Sequence, residues 1–393
     1  MTGSPKRRRI AVVTGTRADY GLLRWILKAL QEADDFELLT LVTGGHLMAG
    51  LGETWRQVEE DGFPAAARID TNQTGDRPLD VATACGTALA GFAAAYDTLR
   101  PDLVLLLGDR FEIFAAAAAA LPLNVPVAHL HGGETTEGAI DEQYRHAITK
   151  LSHLHLPATE AYARNLRRMG EETWRVTVVG APGLEWIQHL PPPDPKTWAR
   201  RYGLPLDEPI LLGTFHPATV RTVEGTTPLS ELDEWLHALD ATGLHALLTG
   251  TGADADGLSI NARIEAFAAT HSRLHFHQNL GSKNYLDSLR NCRCMVGNSS
   301  SGIVEAASFG LPVVDVGDRQ KGRLHGANVL HVPCRSADIA TALQLALSDS
   351  FRAKAADVVN PYGDGRTSEK VLAVLRDADY ARLLRKRLVF GDE

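Results

Sequence analysis

The sequence predicts an α/β protein built from two successive Rossmann-like units. Apolar, strand-like runs alternate with amphipathic helical runs along the whole chain, the pattern of parallel, doubly wound sheets. The alternation stops at HLPPPDPKTW, where Pro191, Pro192, Pro193 and Pro195 crowd together, and then starts again. A chain of 393 residues also exceeds what one hydrophobic core usually serves. The expected units are residues 1–188 and 198–365, with 366–393 as a closing helical segment.

RRRIAVVTGT reads as a buried strand ending in a glycine turn. ADYGLLRWILKALQEA has helical spacing at Leu22, Leu23, Ile26, Leu27 and Leu30. ELLTLVTGG is a second strand, and a helix comes next around Glu53–Asp61. VATACGTALAGFAAAYDTLR is a helix stopped by Pro101. DLVLLLGDR is the clearest strand, followed by the helix FEIFAAAAAALPL and the strand VPVAHLH. TWRVTVVGAPGLEWI reads as the last strand and turn of the first unit. The second unit opens with the strand EPILLGTFHP, the helix LSELDEWLHAL and the strand GLHALLTGTG. RLHFHQNL, CMVGNSS and LPVVDVG are further strands, with SGIVEAASFG a short helix between the last two. SEKVLAVLRDADYARLLRKRL is a final helical stretch.

Hydrophobic residues are 44% of the chain and charged residues 22%, ordinary for a soluble globular protein. A net charge of -8 argues against a nucleic-acid or anionic-membrane surface, and Lys6–Arg9 reads as a solvated tail. Cys85, Cys292, Cys294 and Cys334 form no Cys-x-x-Cys and are expected to be reduced, structural thiols. IFAAAAAALPLNVPVA is split by two prolines and an asparagine, so no membrane span is expected there. MTGSPKRRR lacks the apolar stretch of a signal peptide, and a cytoplasmic protein is expected.

Ligands of doubly wound sheets bind beyond the carboxyl ends of the strands, and polar chemistry concentrates there. Thr14–Gly21 joins the first strand to the first helix and matches neither a dinucleotide fingerprint nor a Walker A loop. Asp109 and Arg110 end the DLVLLL strand, as a ligand pair or a local ion pair. His129 and His131 alternate on a strand and would share one face, half of a metal site or two hydrogen-bonded histidines. No further ligands stand at recognisable spacing, so no metal is expected. Gly132-Gly133-Glu134 makes a sharp turn that can aim a carboxylate. Asp141 and Glu142 start a helix, with Arg145 one turn on from Asp141. Several carboxylates in one pocket can divide acid and base roles; the plain reading is a solvated, well-capped helix. His216 ends the first strand of the second unit. Ser299, Ser300, Ser301 and Gly302 at a helix start suit a diphosphate, with Glu305 placed for ribose hydroxyls. Arg319 and Arg323 can neutralise phosphate or form a solvated basic loop.

GTRADYG, LLLGDR, HGGETTEGAIDEQYRHAITKLSH, TFHPAT and GNSSSGIVEAASFGLPVVDVGDRQKGR together resemble the hydrolysing UDP-N-acetylglucosamine 2-epimerase family, in order and over nearly the full chain. The resemblance implies a glycosyltransferase-B type fold with the active site in the interdomain cleft and a C-terminal helix returning to the first domain. It implies conversion of UDP-N-acetylglucosamine and water to N-acetylmannosamine and UDP, the reaction that opens bacterial sialic acid synthesis. The route is anti elimination to 2-acetamidoglucal, then hydration with inversion at carbon 2, without a cofactor. Asp109, Glu134 and Asp141 fall on catalytic carboxylates, with His216 expected to join the site. Arg17, His216, Ser299, Ser300, Glu305 and Arg319 fall on UDP-contacting positions. Arg110 falls beside the substrate, and Arg145, Ser301, Gly302 and Arg323 complete the expected binding set. Non-hydrolysing relatives carry a glutamate where this chain has His131, which leaves the carbon 2 base open between His131 and Glu134. Two other readings stay open: a hydrolysing epimerase of UDP- or GDP-linked diacetylated bacillosamine or another 2-acetamido sugar, and a non-hydrolysing epimerase. The expected partners are a nucleotide-sugar substrate and a second or further copies in a homodimer or homotetramer.

Overall fold

The computed structural model describes residues 7–48, 52–73, 75, 77–135, 140–217, 227–251 and 257–390. Lys6 of the basic tail, 136–139 of the polar stretch and 218–219 of TFHPAT lie outside them. The chain divides into two compact units, Met1–Trp186 with Tyr362–Glu393, and Ile187–Pro361.

The first unit runs β1 (Arg8–Thr14), α1 (Arg17–Glu32), β2 (Phe36–Thr43), α2 (Trp55–Glu60), β3 (Ala65–Ile69), α3 (Pro78–Leu99), β4 (Leu103–Leu107), α4 (Phe111–Ala120), β5 (Val127–Leu130), α5 (Ile140–Leu151), β6 (Leu154–Leu156) and α6 (Glu160–Arg168). Its six parallel strands are ordered β3-β2-β1-β4-β5-β6. The order reverses between β1 and β4, so the loops after these strands diverge and leave a crevice at their carboxyl ends. β4 is apolar and fully buried, and β1 is apolar and buried from Ile10 to Val13, because helices cover both faces. α1 starts at Thr16, whose hydroxyl accepts from the Asp19 amide, and buries Tyr20, Leu23, Ile26, Leu27 and Leu30. α3 opens with proline, buries Ala84, Ala88, Phe92 and Tyr96 at four-residue spacing, and closes at a left-handed Arg100. By length and composition alone α3 is long and apolar enough to cross a membrane. α4 is almost all alanine on its buried face, which lets it lie close to the sheet.

α7 (Glu185–His189) leads into the second unit, which comprises α8 (Pro195–Tyr202), β7 (Ile210–Thr214), α9 (Pro228–Ala241), β8 (His245–Thr249), α10 (Gly257–Ala268), β9 (Leu274–His277), α11 (Gly281–Asn291), β10 (Cys294–Gly297), α12 (Ser300–Val304), β11 (Val313–Val316), β12 (Val329–Val332), α13 (Ser336–Ala346) and α14 (Asp349–Ala356). Its parallel order is β12-β11-β10-β7-β8-β9, and the reversal falls between β7 and β10. Leu211, Trp235, Leu248, Val296 and Val314 centre its core. At the end of β10 the backbone of Gly297 has φ 143, and a Cβ there would overlap the Thr214 carbonyl oxygen and stand 2.9 Å from its carbon. Neither backbone can retreat without breaking the β7–β10 pairing. Gly297→Ala is therefore expected to cost about 3 kcal/mol or more, read as a shift in the urea unfolding midpoint; an unchanged midpoint would refute the steric argument.

The chain then returns to the first unit as α15 (Thr367–Asp377) and α16 (Tyr380–Leu383). Val371, Leu372, Leu375 and Leu383 enter the same core as Ile10 and Leu105. The expected single helical stretch is broken, because Asp379 accepts from the amides of Ala381 and Arg382 and caps a new turn. Residues 384–390 carry no regular structure. The expected strand in TWRVTVVG is also absent: Thr173–Arg175 is a tight turn and Val176 makes one isolated bridge to His155. The sixth strand is instead the three-residue β6, immediately after the polar stretch. The edge strands β3 and β12 escape the sequence because their residues are partly exposed and form no apolar run.

Candidate functional site

A group of acidic residues gathers at the carboxyl ends of β1, β4 and β5. Beyond β4, Asp109 is ion-paired with Arg145 of α5. The i,i+4 spacing makes Asp141 the expected neighbour of Arg145. The guanidinium instead reaches across to Asp109, bonds Glu142 at 3.2 Å and donates to the Glu134 carbonyl at 3.1 Å. Only 7% of the Arg145 side chain is exposed, so it holds the strand-end aspartate and the following turn in one arrangement. Asp141, in the first turn of α5, lies within electrostatic reach of Asp109, Arg110 and Arg145. Burial raises its carboxyl above the ordinary range, and Asp109 raises it further.

The expected shared face of His129 and His131 is not formed. β5 ends at Leu130, and His131 turns left-handed with φ 63. His129 stays in the sheet, completely buried, donating Nε2–H to the Gly108 carbonyl at 2.8 Å. Burial drives its pKa down to about 3, so it stays neutral and braces the turn that carries Asp109. His131 instead meets Glu134, Nδ1 to Oε1 at 2.5 Å. Its Nε2 is buried and has no partner among the described residues. The Gly132-Gly133 turn permits this: Gly133 has φ 79, and a Cβ there would come 2.5 Å from the Tyr162 carbonyl. Asn165 of α6 fixes the turn by donating to the Gly133 carbonyl at 2.9 Å.

Three residues outside the expected set belong to this cluster. Glu112, at the start of α4, is fully buried and accepts from Arg110 Nε at 2.6 Å. The Gly15 and Gly44 turns lie against it, with a Cβ at Gly15 falling 2.8 Å from Glu112 Oε1. Asp19 sits within electrostatic reach of Arg110, Glu112 and Asp109, and burial raises its carboxyl to about 6. His46 bridges Thr14 at 2.9 Å and Thr54 at 2.8 Å, and burial lowers its pKa to about 4. Arg17, the first residue of α1, has an exposed side chain.

The second unit assembles a different chemistry after β7 and β10. Asn298 clamps His216: its Oδ1 accepts from the His216 amide at 2.7 Å and its Nδ2 donates to the His216 carbonyl at 2.8 Å. His216 Nδ1 and Thr251 Oγ1 share a hydrogen bond of 2.7 Å. Arg319 and Gln320 both donate to the Asn298 carbonyl, at 3.1 and 2.9 Å, and Arg323 donates to Gln320. The strand-end loops are thus tied together through one asparagine, a residue type common in any turn and therefore silent in the sequence beside its three serines. Ser299 caps α12 by accepting from the Ser301 amide at 3.4 Å, and Ser300 is the first helical residue. Gly302 has a packing reason as well, since a Cβ would approach Val313 to 2.9 Å. Glu305 Oε2 is buried without a partner among the described residues, and the buried Tyr285 hydroxyl lies within hydrogen-bond reach of Ser301, Thr214 and Ser299. Burial raises the Glu305 carboxyl. Such an orphaned carboxylate oxygen is costly and marks a place for a hydrogen-bonding ligand. Among the described residues, no three His, Cys, Asp or Glu side chains converge as around a metal ion.

The model of the UDP-N-acetylglucosamine 2-epimerase family matches residues 28–376. The hydrolysing UDP-N,N'-diacetylbacillosamine 2-epimerase of Legionella pneumophila is 41% identical over 94% of this chain and 96% of its own length. The hydrolysing GDP/UDP-N,N'-diacetylbacillosamine 2-epimerase of Campylobacter jejuni is 34% identical over 82% and 84%. The UDP-N-acetylglucosamine 2-epimerase of Neisseria meningitidis is 31% identical over 93% and 94%. A crystal structure of the Neisseria meningitidis UDP-GlcNAc 2-epimerase bound to UDP-GlcNAc has the same fold, with a TM-score of 0.75, 18% identity, and coverage of 94% of this chain and 100% of that one.

Proposed function

The chain belongs to the UDP-N-acetylglucosamine 2-epimerase family, and we propose that it is a hydrolysing enzyme that turns a UDP-linked 2-acetamido sugar into UDP and the free sugar inverted at carbon 2. The observation that carries this reading is the cluster at the ends of β4 and β5, where Asp109, Asp141 and the His131–Glu134 pair stand together with distinct partners. Elimination needs a base for the carbon 2 proton. The electron pair of that C–H bond forms the C1=C2 double bond as the C1–O bond breaks and UDP departs. Hydration then needs an acid to return a proton to carbon 2 from the other face while water supplies the hydroxyl at carbon 1.

His131 is the base in this reading. Glu134 accepts the Nδ1 proton, which leaves the Nε2 lone pair free to take a proton. Asp141, held toward its protonated form by burial and by Asp109, is the acid. Arg145 is a positioning residue, engaged with Asp109 rather than open to the substrate. In the second unit, Ser299, Ser300, Ser301, His216, Arg319 and Arg323 serve the diphosphate. Glu305 takes a ribose hydroxyl with its unpartnered oxygen, and Tyr285 orders the hydroxyls of Ser299 and Ser301 beside it. Glu305→Ala is expected to weaken UDP binding about 10- to 100-fold; an unchanged Kd by calorimetry would remove Glu305 from the nucleotide site.

The two hydrolysing diacetylbacillosamine epimerases among the relatives favour a UDP-linked diacetylated bacillosamine as the substrate. UDP-N-acetylglucosamine is the second reading, favoured by the Neisseria meningitidis relative. The test is to incubate the protein with both UDP-sugars and their GDP counterparts and to follow the products by NMR. Free UDP with a carbon 2-inverted reducing sugar is expected, fastest with the bacillosamine donor. Release of no nucleoside diphosphate from any donor would overturn the reading, and an inverted sugar still joined to UDP would assign the non-hydrolysing reaction.

A further inference from the structure

The C-terminal tail is tied to α5 by a buried cation. Lys386 lies beyond α16, in residues without regular structure. Its side chain is only 14% exposed. Its Nζ donates to the carbonyls of Thr149 at 3.2 Å, Lys150 at 3.1 Å and Ser152 at 2.6 Å, and pairs with Glu171 at 2.7 Å. Four oxygens crowd an ammonium with three hydrogens, so one hydrogen is shared. The carbonyls belong to the last turn of α5 and the residue after it, where a helix leaves acceptors without amide partners. A positive charge at that end also complements the helix dipole.

The tail is pinned on both sides of the lysine. Arg175, 1% exposed, donates to the carbonyls of Leu383 at 2.9 Å and Arg385 at 3.0 Å, and to that of His153 at 3.0 Å. The Val389 amide donates to the Gly170 carbonyl at 3.0 Å. Glu171, which receives Lys386, also receives Lys150 at 2.7 Å and His155 at 2.8 Å, and these partners bring its carboxyl down to about 2 against the effect of burial. The amount of buried charge is out of proportion to the task of ending a short loop. What it holds is the far end of the helix whose first turn presents Asp141 and whose middle turn presents Arg145.

We infer that Lys386 is a positioning residue: it fixes the axial placement of α5, and with it the Asp141 and Arg145–Asp109 geometry. The inference rests on the catalytic reading of α5 under the proposed function. A displacement of α5 by a fraction of a turn would move the Asp141 carboxyl by more than the tolerance of proton transfer, and misplacement of about 1 Å can cost about 100-fold in rate.

The experiment compares Lys386→Met, Lys386→Arg and wild type as full-length chains. Amide exchange across residues 140–151 should quicken about tenfold in the Met variant, with α1 and α9 unchanged. Turnover of the best UDP-sugar from the donor panel should fall about tenfold or more in kcat, with KM within about twofold. Lys386→Arg, which keeps charge and reach, should restore slow exchange and most of kcat. Wild-type exchange in α5 would overturn the inference, as would faster exchange with unchanged kcat. If the Met variant does not fold, Lys386→Gln, with a shorter donor, should show the same effects at smaller size, and their absence counts equally against it. Should wild type release no UDP from any donor, the functional reading fails while the exchange measurement still decides whether Lys386 holds α5.

Discussion

Asp141→Asn should leave UDP binding intact and slow formation of the carbon 2-inverted sugar by about 10²–10⁴-fold, the usual contribution of a positioned general acid or base. The side chain keeps its size and can still cap or solvate the first turn of α5, but an amide cannot deliver a proton. The loss will not come from unfolding. Removing one negative charge from a helix N-terminus costs about 0.3–1 kcal/mol, far below the stability of a folded unit. Titration acts in the opposite direction. Asp141 has its folded-state carboxyl raised by burial, so its contribution to stability is fully present below the unfolded value and is lost as pH rises through the folded one. At pH 8 the wild type bears the cost of ionising it and the Asn variant does not. The variant should therefore melt no lower than wild type at pH 8 while being nearly inactive, a combination that marks a residue kept for chemistry. In wild type the rate should decline as pH rises through the raised Asp141 value, because the acid is then consumed. Wild-type turnover in Asp141→Asn would take this residue out of the mechanism.

Much of this site is legible in the sequence for one reason: polar side chains placed after apolar strand runs stand at the carboxyl ends of a parallel sheet. That alone locates Asp109, His131, His216 and the Ser299 turn. What it cannot supply is the pairing. Arg145 and Asp109 are 36 residues apart, and no local period links them, whereas the visible i,i+4 relation to Asp141 points to a different partner. Asp19 and Glu112 look like ordinary first-turn acids of two helices; they meet only because β1 and β4 are neighbours in the sheet. His131 leaves the strand because the two glycines after it, Gly132 and Gly133, allow a turn to begin one residue earlier than the apolar alternation implies. Lys386 falls in a run of arginines, lysines and leucines that has helical spacing whether or not the chain stays helical. The helical stretch is interrupted earlier, where the Asp379 carboxylate caps a new turn, and that turn ends at Leu383, before Lys386.

The division of labour between His131 and Glu134 yields a prediction in which backbone and chemistry pull in opposite directions. His131 occupies the left-handed region with φ 63, which costs an ordinary residue about 1–2 kcal/mol and glycine nothing. His131→Gly relieves that strain, set against a glycine entropy cost of about 0.5–1 kcal/mol, so stability should hold or rise slightly. Catalysis should fall about 10²–10⁴-fold, because among the described residues no other group at the turn offers an unpartnered ring nitrogen. Exchange of the carbon 2 proton with solvent deuterium should stop with it, and added imidazole, entering the space left by the ring, should restore part of both. Glu134→Gln keeps the shape of the pair, but an amide that donates to Nδ1 forces the proton onto Nε2 and removes the lone pair; a loss of about 10²–10⁴-fold is expected, as when the carboxylate of a catalytic triad becomes an amide. Were Glu134 itself the base, imidazole would not rescue His131→Gly and small carboxylates would rescue Glu134→Ala. Rescue of one variant by imidazole and no rescue of the other by formate would assign the proton transfer to the imidazole, and make Glu134 the group that holds its tautomer.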